Sequence, residues 1–130
     1  MTSIHWLAVS VVFTGLLWVP YVLERIASLG LMEALGNPDP DAPRPASWAM
    51  RSAAAHRNAV ENLVLFAPAV GIAVANGRES AGIVVTAAMI HVIARLAYTA
   101  VYIAGIPVLR TLTFSASLFA TFGVVYGALA

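Results

Sequence analysis

Residues 81–104, AGIVVTAAMIHVIARLAYTAVYIA, form an apolar run that is interrupted by His91 and Arg95. A helix needs roughly 20 apolar residues to cross the hydrocarbon core of a bilayer, so this run is long enough to span a membrane. Hydrophobic residues make up 61% of the chain and charged residues only 10%, whereas a typical globular protein has about 25% charged residues. The sequence therefore predicts that lipid covers much of the surface.

Further apolar runs on both sides of this one predict an all-α membrane protein with a bundle of four transmembrane helices. The predicted helices are 4–23, 48–76, 81–104 and 108–129, with a polar loop at 24–47. Successive prolines between Asn37 and Pro45 exclude a helix there, because proline lacks the N–H donor and fixes φ. The four spans fill the 130 residues, so we predict a single membrane domain, 1–130.

Charge and composition exclude several classes of function. The formal net charge is +1 and no basic tail is present, so we expect no nucleic-acid partner. The chain has no cysteine, which excludes a thiolate metal site and a cysteine nucleophile. The three histidines show no metal-ligand spacing with carboxylates, and we therefore assign no metal.

The arginines that flank the spans predict an orientation. Four of them lie on the side of the first and third connections, and only Arg78 lies on the other side; the four are Arg25, Arg44, Arg51 and Arg110. Because basic residues are enriched in cytoplasmic loops, both termini are predicted to lie on the outer side.

Polar side chains inside the predicted spans mark a candidate site. On the second helix they recur three or four residues apart, and so do those on the third helix, which places each set along one face. Arg57 lies about 13 Å from the inner end of its helix at 1.5 Å per residue, and Arg95 lies equally deep. The sequence therefore predicts a polar pocket in the inner half of the membrane, lined by Arg57, Asn58, Glu61, Arg95, Tyr98, Tyr102 and Arg110.

The charges of this predicted pocket do not balance. Three arginines face the single carboxylate of Glu61. A net positive site at the membrane face favours an anionic ligand. The alternative is a buried structural network in which Glu61 neutralises Arg57 or Arg95.

Two segments contain the most specific motifs of the chain. The first is AHRNAVEN at 55–62, followed by LFAP at 65–68. The second is ARLAYT at 94–99 with Tyr102 and GIPVLRT at 105–111. Together they resemble the MAPEG family, the membrane-associated proteins of eicosanoid and glutathione metabolism: the first segment is similar to the family's second-helix signature, and the second to its region between helices three and four. Ala54 and Val64-Leu65 depart from the eukaryotic pattern and resemble the bacterial branch.

The resemblance implies a homotrimer of four-helix protomers that binds glutathione between protomers near the cytosolic face. It implies a catalytic role for Arg110, which matches the arginine that stabilises the glutathione thiolate. The remaining residues matched to the family's glutathione site are Arg57, Asn58, Glu61, Arg95, Tyr98, Tyr102 and Thr111.

The function implied is a glutathione-dependent transferase or peroxidase in a bacterial inner membrane, acting on a lipophilic electrophile that arrives from the lipid. The alternative is a non-catalytic binding or scaffold protein of the same fold, whose basic pocket holds another anion or a lipid head group. A third hypothesis is a small multidrug transporter. It is disfavoured because such transporters carry their essential carboxylate within the first helix, where this chain has none before Glu24.

Overall fold

The computed structural model describes residues 1–130, and every regular element in it is an α-helix. The helices are α1 (Ser3–Leu16), α2 (Val19–Leu29), α3 (Leu31–Leu35), α4 (Ser47–Ala75), α5 (Gly82–Ala104) and α6 (Pro107–Leu129). Four stretches are long and apolar enough to cross a membrane, namely Ser3–Leu29, which contains α1 and α2, and each of α4, α5 and α6. The prediction of an all-α chain with four long apolar helices is confirmed.

The first span consists of two helices that meet at a tight break at Leu17 and Trp18. Pro20 lies in the first turn of α2, where its missing N–H is not needed and its fixed φ suits a helix. The span therefore does not end at Leu23, as the sequence predicted, but continues to Leu29.

The predicted polar loop 24–47 is wrong in its first part, because its beginning continues α2 and α3 follows directly. The polar residues there have partners in the folded chain. Glu24 Oε1 accepts the backbone N–H of Ala46 at 3.2 Å, and Arg25 Nη1 donates to the carbonyl of Pro43 at 2.9 Å. These bonds tie the irregular part of the loop back to α2.

The hydrophobic core lies between α4, α5 and α6, in the half of the bundle farthest from the long loop. Large side chains alternate with alanine in this core, which lets the helices approach closely; its largest members are Phe66, Val70, Val84, Val92 and Val124. The α1 helix packs against α4 and α5. The core therefore holds one end of the bundle together and leaves the other end free for polar side chains.

His91 is buried against this core. Its ring stacks on Phe66 with the ring centroids 3.8 Å apart and the planes within 9°. Its Nδ1 lies 3.1 Å from the carbonyl oxygen of Ser117 and 3.0 Å from Thr121 Oγ1. His91 therefore stays outside the polar site.

Glycines on α6 allow α5 and α6 to touch. A Cβ on Gly127 would lie 2.6 Å from Cγ2 of Ile83 and 2.9 Å from Cγ2 of Val84, and a Cβ on Gly123 would lie 3.2 Å from that of Ala87. Such contacts are the usual reason for small residues at helix interfaces in membranes.

Replacing Gly127 by alanine is expected to destabilise the protein by about 1–3 kcal/mol, because the new methyl group overfills a packed interface. Thermal denaturation in detergent measures the effect. Gly71→Ala is the matched control, since no side chain lies within 4 Å of a Cβ at Gly71 and alanine is the better helix former. Equal melting temperatures for Gly127→Ala and the parent would contradict the close packing of α5 and α6.

Candidate functional site

The turn between α5 and α6 sets the geometry of the polar end of the bundle. Gly105 ends α5 at φ +80°, a left-handed backbone that glycine adopts without strain. The N–H groups of Gly105 and Ile106 bond back to the carbonyls of Tyr102 and Val101, at 3.0 and 3.1 Å. Arg51 Nε on α4 donates to the backbone carbonyl of Ile103, also at the end of α5, at 2.8 Å. These bonds close the end of α5 and tie it to α4 just before α6 begins.

Asn58 joins α4 to α5 at the level of Arg95. Arg95 Nη2 donates to Asn58 Oδ1 at 2.8 Å. Asn62, one turn further along α4, donates through Nδ2 to the backbone oxygen and Oδ1 of Asn58, at 2.9 and 3.2 Å. This contact places these parts of α4 and α5 at the same level along the bundle, as counting from the helix ends predicted.

Arg95 is a buried cation without a counter-charge. Its side chain is 3% exposed, and its one hydrogen-bond partner is the neutral amide of Asn58. The Nε and Nη1 groups have no hydrogen-bond partner. Its guanidinium carbon lies 4.2 Å from the centre of the Tyr98 ring. A buried donor without a partner costs about 1–3 kcal/mol, so the folded chain holds this guanidinium at an energetic disadvantage.

Aromatic rings connect Arg95 to Arg110. The rings of Tyr98 and Tyr102 have centroids 5.5 Å apart, and Phe114 on α6 lies 6.2 Å from Tyr98. The guanidinium carbon of Arg110 lies 4.8 Å from the centre of the Tyr102 ring. The structure therefore forms one continuous cluster, which we call the arginine–tyrosine cluster: Asn58, Asn62, Arg95, Tyr98, Tyr102, Arg110 and Phe114.

Three of the predicted site residues lie outside this cluster in the single chain. Arg57 and Glu61 are exposed on α4, and Thr111 is exposed on α6, where its hydroxyl donates to the carbonyl of Pro107 at 3.4 Å. Arg57 also lines a cavity of about 210 Å³ between α2 and α4, together with Arg25. The expectation that Arg57 and Asn58 share one face is therefore not met within the chain, because adjacent residues of a helix point about 100° apart.

Sequence reasoning missed two members of the cluster, Asn62 and Phe114. Both could have been found by helical spacing, since each lies four residues after a residue of the predicted site, Asn58 and Arg110 respectively. His56, which lies next to Arg57, contacts another helix, because its Nδ1 lies 2.9 Å from the hydroxyl of Tyr21 on α2.

Electrostatics give the cluster a positive character. None of the hydrogen bonds that arginines donate in this chain goes to a carboxylate. Arg110 is in the first turn of α6, where the unpaired backbone N–H groups of a helix carry a partial positive charge. The arrangement can therefore attract an acid and stabilise an anion that forms beside Arg110.

The fold and the site together define an integral membrane protein of four spans, with a cationic, tyrosine-lined cluster at the end of the bundle that carries the long loop. The model of the MAPEG family matches residues 3–130, and the chain belongs to that family. No curated protein matches the chain. The family is one of glutathione-related membrane enzymes, as the resemblance implied.

Proposed function

We propose that this protein is a glutathione-dependent membrane transferase or peroxidase that acts on a lipophilic electrophile. The observation that carries the proposal is the buried guanidinium of Arg95, which has no counter-charge and belongs to one cluster with Arg110 in the first turn of α6. A site with surplus positive charge suits a peptide with two carboxylates, and glutathione is such a peptide. Family membership supports the same ligand.

The residues of the chain fit the parts of glutathione. On binding, Arg95 turns from Tyr98 towards a carboxylate, and its unpaired N–H groups then find an acceptor. Charge-assisted bonds of this kind are roughly twice as strong as neutral ones. In the single chain Arg57 lies outside the cluster, beside α2, and we assign it the second carboxylate in the assembled protein; the exposed Glu61 is assigned the ligand's ammonium group. Asn58 holds Arg95 at the correct depth, and the Tyr98 and Tyr102 rings form the wall of the site.

Arg110 stabilises the thiolate of the bound glutathione. A free thiol has a pKa near 8.5, and a neighbouring guanidinium or a helix N-terminus lowers that pKa. Both influences are present here, because Arg110 supplies the guanidinium and the first turn of α6, in which it lies, supplies the helix N-terminus. Thr111 supplies a hydroxyl beside it that can donate to the sulfur.

Two reactions follow from a stabilised thiolate. In conjugation, the thiolate sulfur attacks an electrophilic carbon, the leaving group departs with its electron pair, and the thiol proton passes to water. In peroxide reduction, two glutathione molecules are oxidised to the disulfide, and the lipid hydroperoxide is reduced to the alcohol and water. Both reactions use the thiolate as nucleophile, and neither needs a metal ion.

The proposed active unit is a homotrimer with the site between protomers. Arg57 and Glu61 are exposed on a membrane-spanning helix of the single chain. A charged side chain that faces lipid costs about 2.5–3.5 kcal/mol at the bilayer centre on insertion scales, so a neighbouring copy is expected to cover both. The flanking arginines support a cytoplasmic site, termini on the outer side, and a location in a bacterial inner membrane.

Turnover by the purified protein in lipid nanodiscs tests this proposal. We expect conjugation of chlorodinitrobenzene, or reduction of a fatty-acid hydroperoxide, only when glutathione is present. Nanodiscs without protein are the control for uncatalysed reaction. Saturable glutathione binding without turnover of either substrate would favour the non-catalytic alternative, a binding or scaffold protein of the same fold.

A further inference from the structure

The short helix α3 exposes three large apolar side chains just beyond the first span. The exposed fractions of Leu31, Met32 and Leu35 are 54%, 83% and 68%. At 3.6 residues per turn these three residues fall within an arc of about 100°, and Glu33 points to the opposite side. The helix is therefore amphipathic, and its apolar face is not covered by the rest of the chain.

Two neighbouring elements fix the level of α3 relative to the membrane. The stretch Ser3–Leu29 is 27 residues long. That corresponds to about 40 Å at 1.5 Å per residue, close to the thickness of a bilayer with its headgroups. Its end at Leu29 thus falls at the headgroup level. On the other side of the loop, α4 begins at Ser47, and Trp48 is exposed there, as expected of an aromatic residue at the membrane interface.

We propose that the apolar face of α3 inserts at the boundary between lipid headgroups and acyl chains and anchors the long loop to the membrane surface. Gly30 permits this placement, since its φ of +86° interrupts the helix and separates the axis of α3 from that of α2. The preceding helix α2 also exposes apolar surface, since Leu23 is 58% exposed.

The charge of the segment that contains α3 indicates which force holds it at the membrane surface. Glu33, Asp39 and Asp41 outnumber Arg44 between residues 30 and 46, so this segment is acidic. Anionic lipids would repel it, and burial of apolar surface therefore provides the anchoring. The anchor should form in zwitterionic bilayers and should persist at high ionic strength.

The absence of cysteine from the chain allows a direct test with single-cysteine variants. Nitroxide labels are attached at Met32→Cys and Leu35→Cys in phosphatidylcholine nanodiscs, and Glu33→Cys and Asp39→Cys serve as controls in the same loop. The measurement compares collision of each label with oxygen, which partitions into lipid, and with a water-soluble nickel chelate. We expect the oxygen-to-nickel ratio at 32 and 35 to be at least several-fold higher than at 33 and 39, with or without added salt.

Two outcomes would contradict the proposal that α3 anchors the loop to the membrane. Labels at 32 and 35 that meet the nickel chelate as often as the label at 39 would place α3 in water. Labels at 32 and 35 that are protected from both reagents would show that protein, such as a second copy of the chain, covers this face. Unchanged melting temperatures for the variants show that the labels report on the folded protein, and the pair of positions guards against the failure of one variant.

Discussion

The Arg110→Ala variant is expected to lose about 100-fold in the rate of glutathione conjugation at neutral pH, the effect typical of removing one group that stabilises a developing anion. Without the guanidinium, the bound thiol returns towards its ordinary pKa near 8.5 and is largely protonated at neutral pH. The rate of the variant should therefore rise as the pH approaches 8.5, while the parent enzyme should show little increase. Ultraviolet thiolate absorbance of the glutathione complex and the pH profile of the rate both measure this loss.

The Arg110→Lys variant is the matched control, because it retains the positive charge in the first turn of α6. It should keep a measurable part of the thiolate signal, although lysine lacks the planar guanidinium. Both variants should assemble like the parent protein, since Arg110 lies at the edge of the cluster, over the Tyr102 ring. Unchanged thiolate absorbance of the Arg110→Ala variant at neutral pH would contradict the role of Arg110 in stabilising the thiolate.

Replacing Arg95 by methionine is expected to change stability and binding in opposite directions. Burial of its unpaired Nε and Nη1 groups destabilises the ligand-free protein, so the Arg95→Met variant should be more stable by about 1–3 kcal/mol. Asn58 Oδ1 retains the hydrogen bond from Asn62 after the change. The same variant should lose saturable glutathione binding. Thermal denaturation without ligand and equilibrium dialysis with glutathione provide the two readings.

Arg78→Met is the control at the opposite end of the bundle. Arg78 Nε donates to the carbonyl of Gly127 at 3.3 Å, so this variant should lose stability and keep its affinity for glutathione. A lower melting temperature for Arg95→Met than for the parent would contradict the proposed role of Arg95. It would favour the alternative in which Arg95 belongs to a buried structural network.

The level of the candidate site along the bundle could be predicted from sequence, because it depends only on how many residues separate each side chain from the inner end of its helix. Counting residues from the inner ends of the second and third spans placed Arg57 and Arg95 equally deep, and the helices do begin at Ser47 and end at Ala104. Helical spacing also placed Arg95, Tyr98 and Tyr102 on one stripe, and their contacts follow that stripe.

The partners of each helix face could not be predicted in the same way. Arg57 and Asn58 are adjacent in sequence, yet Asn58 meets Arg95 on α5 and Arg57 lines a cavity beside Arg25 on α2. Spacing gives the direction of a side chain around its own helix, but not which other helix lies there. Likewise, the charges of Glu24 and Arg25 suggested a loop. Their hydrogen-bond partners, Ala46 and Pro43, are distant in sequence, so spacing could not show that these two residues belong to a helix.

Equilibrium binding of glutathione, compared with that of its dimethyl ester, tests the central claim that surplus positive charge in this site binds an acid. The ester keeps the thiol and the amine and lacks both negative charges. Hydrogen bonds to charged groups contribute about 1.5–3 kcal/mol each, so glutathione should bind saturably and the ester at least about tenfold more weakly. Equal affinities for the two ligands, or no saturable binding of glutathione at millimolar concentration, would contradict the claim.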